Sequence, residues 1–298
     1  MERRVGNPLA VRARWAHGRA RFTCDAGPRD PAVKLRISST KNIQKITKSM
    51  KMIASTKLVR AQREMQRARV YGSGTTNVLT NMGVKAPEAQ SGKGLMIAVS
   101  SDKGLCGGIH SNISRGIRPI AQANQELELV SIGDKCKAQL ARQFSNRLVG
   151  SFSGLGAKPA TFTEASLIAN VLLKDLGAGE KYDFVQLAYN QFQSAIAYNL
   201  RFATVPTAKT LLGAEKIDAY EAEDDVLQNL QEFTVANSIF AAMSDGYAAE
   251  IAAKMTAMDN ATRNAGDLIN RLSIVYNRTR QAVITVELIE IISGAAAV

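Results

Sequence analysis

The stretch Ser101-Asp-Lys-Gly-Leu-Cys-Gly-Gly108 holds the residue types best suited to chemistry. Glycines and a hydroxyl between an apolar run and an amphipathic one stand where α/β folds hold phosphates on backbone N–H groups. The spacing argues against a nucleotide. Glycines at 104, 107 and 108 do not make G-x-G-x-x-G, and no Gly-Lys-Ser/Thr ending follows, so neither the dinucleotide fingerprint nor the P-loop is present. Cys106 at a helix start could act as a low-pKa thiolate, but its nearest histidine, His110, lies one helical turn on with no orienting acid. A tight turn carrying a buried thiol is the simpler reading.

The second candidate is electrostatic. From Lys34 to Gly72 the chain carries eleven basic residues and a single acid, Glu64. Lys41, Lys45 and Lys48 repeat at 4 and 3, which forms a stripe on one side of a helix. A solvated face is the ordinary reading of such a helix. A stripe so poor in acid repels itself, however, and gains from an anionic partner. Three scattered cysteines, Cys24, Cys106 and Cys136, offer neither a disulfide framework nor a four-ligand zinc site.

These candidates need elements to position them. Leu35 to Val84 and Thr207 to Val298 contain no proline, which predicts two long helices at the ends of the chain. Ile43, Ile46, Met50 and Ile53, spaced 3, 4 and 3, predict the seam by which one winds on the other. At about 1.5 Å per residue, a helix from near Asp225 to Gly294 would reach roughly 100 Å, longer than a globular domain requires.

Between them the period changes. Leu95–Val99, Leu127–Ile132, Phe184–Ala188 and Ala195–Val205 read as strands, and Ile109–Ala123, Lys135–Phe144 and Thr163–Leu176 as helices, the last capped by Thr163. Strands alternating with helices predict a mainly parallel, Rossmann-like sheet covered on both faces. The fold class is therefore α/β: an antiparallel coiled coil of terminal helices with an inserted Rossmann-like domain. Four segments are expected: 1–33, 34–90, 91–210 and 211–298. The first holds seven arginines against three acids but no serine, an imperfect match to an organelle transit peptide that leaves open a misplaced start or a disordered tail. No run of eighteen uncharged apolar residues appears, since Glu287 and Glu290 interrupt the nearest, Ala282 to Val298.

Of 298 residues, 46% are hydrophobic and the net charge is +12, so the chain is foldable and basic. Basicity alone would admit nucleic acid. Yet Tyr71 is the only aromatic between Lys34 and Gly94, so no stacking platform accompanies the charge. A dinucleotide enzyme lacks its fingerprint and any acid/base constellation.

Thr40-Lys-Asn-Ile-Gln-Lys-Ile-Thr-Lys-Ser-Met-Lys-Met52 closely resembles the N-terminal signature of the gamma subunits of F-type ATP synthases. Ser100 to Gly107, Met255 to Ala265 and Tyr276 to Thr285 are similar to further blocks of that family, and the ending resembles its mitochondrial, animal-type branch. Before Lys41 the chain departs from the usual longer basic helical start. The resemblance implies a rotor shaft without catalytic residues, cofactor or metal. It implies a ring of three alpha and three beta subunits around the coiled coil, and small epsilon-type and delta-type subunits and the c-ring at the foot. It implies location at the matrix side of the mitochondrial inner membrane, peripheral to it and without nucleic acid. Arg280 and Gln281 would hydrogen-bond a beta loop, and Lys45, Lys48, Met50, Lys51 and Met52 would face beta's acidic lever. Ile284, Val286, Leu288, Ile289, Ile291 and Ile292 would form an apolar bearing.

Overall fold

The computed structural model describes residues 30–84, 92–156, 158–178, 181–207, 210–211, 213, 216 and 224–297. The expected leader thus lies outside the described residues up to position 29. Contacts group the described chain into two compact units, one of 39–270 and one combining 30–38 with 271–297.

Helix α1 runs Asp30–Asn81. Pro31 sits in its first turn, where a missing N–H costs nothing. Strand β1 (Gly94–Val99), α2 (Ile109–Ala123), β2 (Glu128–Ile132), α3 (Asp134–Phe144), β3 (Leu148–Phe152), α4 (Phe162–Lys174), β4 (Phe184–Phe192) and β5 (Tyr198–Val205) follow. Helix α5 then runs Asp224–Ala296.

The sheet order is β3-β2-β1-β4-β5, with β5 alone antiparallel, paired to β4. The mainly parallel sheet is as expected. Strand β3 is an addition: its residues alternate between half-buried and exposed at the sheet edge, so it carries no continuous apolar run to betray it. The cap of α4 also moves. Thr161 accepts from the Glu164 N–H while Glu164 reaches back to the Thr161 N–H, a capping box two residues earlier than Thr163.

Alternate β1 residues feed two cores. Leu95, Ile97 and Val99 pack with α4 and with Val235, Ala236, Ile239 and Met243 of α5. Met96 and Ala98 pack under α2 and α3. Helix α5 therefore covers one sheet face as well as pairing with α1.

Within the larger unit, Lys51 meets Asp259, Thr47 meets Thr262, and Asn237 meets the Tyr71 carbonyl, which sets the two helices antiparallel. The seam is not the one expected. Ile43, Ile46 and Ile53 are more than half exposed, while Thr40, Thr47, Ala54, Ala61 and Ala68 are buried at intervals of seven, joined by Leu58 and Met65. Small side chains bring the backbones close, and opposite them lie Ala248, Ala249, Ala252 and Ala253. A strict seven-residue period keeps such a seam in register by left-handed supercoiling. The isoleucine set satisfies the spacing only locally and is displaced to the flank.

Candidate functional site

The heptad of small residues fixes which way every other α1 side chain points. At about 3.6 residues per turn, Lys41, Lys45, Lys48 and Met52 fall on one side of the seam, and Ile43, Ile46, Met50 and Ile53 on the other. Lys41, Lys45, Lys48 and Met52 are all exposed. Lys51 is different. It faces α5, its Nζ 2.6 Å from Asp259, which also holds Arg263 at 2.9 Å. The hydrogen bond from Lys51 leads the causes that hold the Asp259 carboxyl below its usual range. The set expected to act together is thus divided: Lys45, Lys48 and Met52 share a face, Met50 is half-buried on the other flank, and Lys51 is engaged within the chain.

In the second unit, Arg280 and Gln281 are exposed. So is every described residue from 281 onward, including Ile284, Val286, Leu288, Ile289, Ile291 and Ile292 at 44–67%. Apolar side chains exposed on all sides of a helix have no core to join.

The glycine-rich segment forms the β1–α2 loop at the carboxyl end of β1, where the strand order reverses between β1 and β4. Asp102 organises it, accepting the backbone N–H of Asp134 at 2.7 Å, Gly154 at 2.6 Å and Leu155 at 2.9 Å. Gly133 closes the neighbouring turn with φ +100°, and a Cβ there would stand 2.6 Å from the Ser101 nitrogen. Cys106 is buried, and its thiol donates to the Gly104 carbonyl and to Glu250 of α5. Burial, reinforced by the Glu250 charge, pushes that thiol up to about 12, so it is no nucleophile near neutral pH. His110 Nε2 donates to the Lys103 carbonyl, and burial lowers the ring's pKa. Glu250 is itself buried, and burial raises its pKa against the opposing hydrogen bonds of Ser101 and Cys106. This is a structural joint between the loop and α5. Among the described residues no group of three or more His, Cys, Asp and Glu could hold a metal ion.

A second joint has no local sequence signature. Arg69 of α1 donates to Asp245 of α5 at 2.7 and 3.1 Å and, through Nη2, to the Phe192 carbonyl ending β4 at 2.7 Å. One guanidinium ties three elements together. The sequence shows Arg69 only as one more cation of the stripe, because its partners lie 123 and 176 positions away.

A family described as ATP synthase matches residues 31–298. The chain is 46% identical over 267 residues to the ATP synthase F(1) complex subunit gamma, mitochondrial, of Rattus norvegicus, covering 88% of this chain and 96% of that one. It is 44% identical over 268 residues to the ATP synthase subunit gamma, mitochondrial, of Yarrowia lipolytica, covering 89% and 90%. Among solved structures it is similar to a chain of the central stalk and c-ring of the Tetrahymena thermophila mitochondrial ATP synthase, with TM-score 0.61 and 28% identity over 72% of this chain and 99% of that one. A chain of the Euglena gracilis mitochondrial ATP synthase shares the fold at TM-score 0.75 and 20% identity, over 90% and 94%.

Proposed function

This chain belongs to the gamma-subunit family of the ATP synthases, and from that premise we propose that it is the central rotor shaft of a proton-translocating enzyme. In this reading the shaft turns with the membrane c-ring inside a head of three alpha and three beta subunits. Its single asymmetric surface biases each beta site towards a different affinity for ADP, phosphate or ATP. Such a shaft is an effector whose differential contacts shift each site's equilibrium, and the coupling is reciprocal. It contributes no catalytic group of its own, and the raised thiol of Cys106 and the carbonyl-bound, low-pKa ring of His110 agree with that.

The observation that carries the reading is the tip of α5. A 73-residue helix whose described residues beyond 280 are exposed on every face, many of them Ile, Leu and Val, requires a sleeve from another chain. A dry sleeve lined by apolar atoms holds that surface without fixing its angle. The bearing is then Ile284, Val286, Leu288, Ile289, Ile291 and Ile292. Directional contacts with beta loops fall to Arg280, Gln281, Lys45, Lys48 and Met52, with Met50 on the flank and Lys51 holding the shaft together through Asp259.

The foot, residues 91–210, would meet the c-ring and the epsilon-type and delta-type subunits. Residues 34–90 and 211–298 form the shaft, and 1–33 direct the chain to the matrix side of the mitochondrial inner membrane. No helix among the described residues is long and apolar enough to cross a membrane, in keeping with a peripheral position.

The test is single-molecule rotation of the chain reconstituted with alpha and beta subunits during ATP hydrolysis. A bead is attached through Ala138→Cys, an exposed position, since Cys106 and Cys136 are buried. Three equal steps per turn are expected, slowed or weakened by Arg280→Ala with Gln281→Ala. Hydrolysis by alpha and beta while this chain neither joins nor turns overturns the reading.

A further inference from the structure

A cavity of about 200 Å³ lies where α1, the β1–α2 loop and α5 meet, beside the joint between Cys106 and Glu250. Each of the three elements contributes a lysine to its wall: Lys57 from α1, Lys103 from the loop and Lys254 from α5. Lys57 and Lys103 are exposed and Lys254 is half-buried, so none of the three is sealed in the interior. None of them forms an ion pair among the described residues. Three like charges around one cavity repel each other until an opposite charge enters it.

The rest of the wall opposes them with a single acid. Glu250 accepts from the Ser101 hydroxyl and the Cys106 thiol; burial raises its pKa, and Lys254 and Lys103 act against that rise. Three ammonium groups against one carboxyl leave the wall cationic. The Tyr247 hydroxyl, without a hydrogen-bond partner among the described residues, adds a donor. Met50, Ile53, Ala54 and Ile251 supply apolar atoms between these groups.

The wall therefore excludes a cation, and a neutral ligand would leave the lysines uncompensated. Planar carboxylates pair best with guanidinium forks, whereas ammonium groups are point charges that approach from separate directions, which suits the oxygens of a tetrahedral phosphoryl group. Its five non-hydrogen atoms, at roughly 30 Å³ each, need about 150 Å³, and the cavity supplies that space. We propose that this cavity binds a phosphoryl group, as inorganic phosphate or on a small phosphate ester, with Lys57, Lys103 and Lys254 on its oxygens and Tyr247 as a further donor. The anion bridges α1, the loop and α5, and so reinforces the joint that Cys106 and Glu250 make.

The test uses the full chain in the assembly it co-purifies with. Acetylation of lysines by a small reagent is followed residue by residue by mass spectrometry, in phosphate, phenyl phosphate or chloride at equal ionic strength. Lys57, Lys103 and Lys254 should react at least threefold more slowly in phosphate than in chloride, while the exposed Lys174 reacts alike in both. Lys254→Gln should remove the protection of Lys57 and Lys103, and Glu250→Gln, which deletes the one opposing charge, should deepen it. Protection by inorganic phosphate alone assigns the free anion, and equal or stronger protection by phenyl phosphate assigns an ester. Equal rates in phosphate and chloride, protection that extends to Lys174 or survives Lys254→Gln, or three lysines unreactive in every salt because another chain covers them overturns the proposal. Reactivity is read at each residue, so the outcome does not depend on whether the shaft turns.

Discussion

Truncating Arg69 to alanine should open the joint between the helices and the sheet by an amount that can be worked from the structure. Four contacts are lost: three to Asp245, at 2.7, 3.1 and 3.3 Å, and one to the Phe192 carbonyl at 2.7 Å. The Asp245 side chain is 6% exposed and cannot recover its hydration by moving, whereas Arg69 is 40% exposed. Leaving a buried charge unpaired costs about 3–5 kcal/mol, and partial exposure of the cation reduces this to roughly 2–4 kcal/mol. Amide hydrogen exchange of the full chain in its assembly reads local opening directly. At about 1.4 kcal/mol per tenfold, the α5 amides around 241–249 should exchange on the order of 100-fold faster in Arg69→Ala. Arg69→Lys should fall between, because an ammonium cannot reproduce the fork. The double variant Arg69→Met with Asp245→Leu should be milder than Arg69→Ala, since no charge is then stranded. Burial raises the Asp245 pKa and Arg69 opposes that rise, so the Arg69→Ala defect should shrink as pH falls and the stranded carboxyl takes up a proton. A change under twofold in Arg69→Ala, or a double variant worse than the single, would refute the argument that this pair is a buried, coupled joint.

Glu250 gives a pH signature. Its folded pKa is raised, so the folded state binds the proton more tightly, and stability falls as pH rises from about 4.5 through the folded value. Glu250→Gln should flatten thermal stability across that window and match or exceed the parent at pH 8, whereas a steeper slope would mean that the group is paired rather than desolvated. Gly133→Ala should destabilise by about 1–3 kcal/mol in denaturant unfolding, because the added carbon meets backbone at 2.6 Å with φ +100°, while Gly246→Ala should be neutral or gain up to about 1 kcal/mol. Cys106 should resist alkylation in the native chain and react on unfolding, and native labelling at the rate of a free thiol would contradict its burial. The chain alone should self-associate through 281–297 in light scattering, and Ile289→Lys with Ile292→Lys should reduce this.

The fold was legible where apolar runs are short and buried on both sides: β1 and β2 are fully or almost fully enclosed, and the apolar character of β1, and of Leu129, Val130 and Ile132 in β2, announces them. Strand β3 was not legible, because an edge position buries only part of each side chain and a strand of Leu, Val, Gly, Ser and Phe carries no run. The helix pair was legible from the absence of proline, but its seam was not. In a window of eleven residues the isoleucines satisfy helical spacing as well as any core does. Only the seven-residue recurrence of Thr and Ala from Thr40 to Ala68 distinguishes the true interface, and small residues carry little weight in a hydropathy reading.

The position of the seam also divides the basic face. Once Thr47 and Ala54 are fixed towards α5, Lys51 must lie beside them, within reach of Asp259, while Lys45 and Lys48 turn outward. A charge pair across 208 residues has no local trace, so a stripe of lysines conceals which members bind within the chain. The isoleucines displaced from the seam gain a consequence. Ile43, Ile46 and Ile53 flank the helix pair at 54–56% exposure, and leaving that much of each side chain uncovered forgoes hydrophobic stabilisation of roughly 1–1.5 kcal/mol each. That cost is intelligible if a partner recovers the burial, so Ile46→Ser and Ile53→Ser should leave the thermal stability of the chain's own fold nearly unchanged while weakening its retention, in a pull-down, by the alpha and beta subunits proposed to surround it. A large loss of fold stability instead would return these residues to the seam.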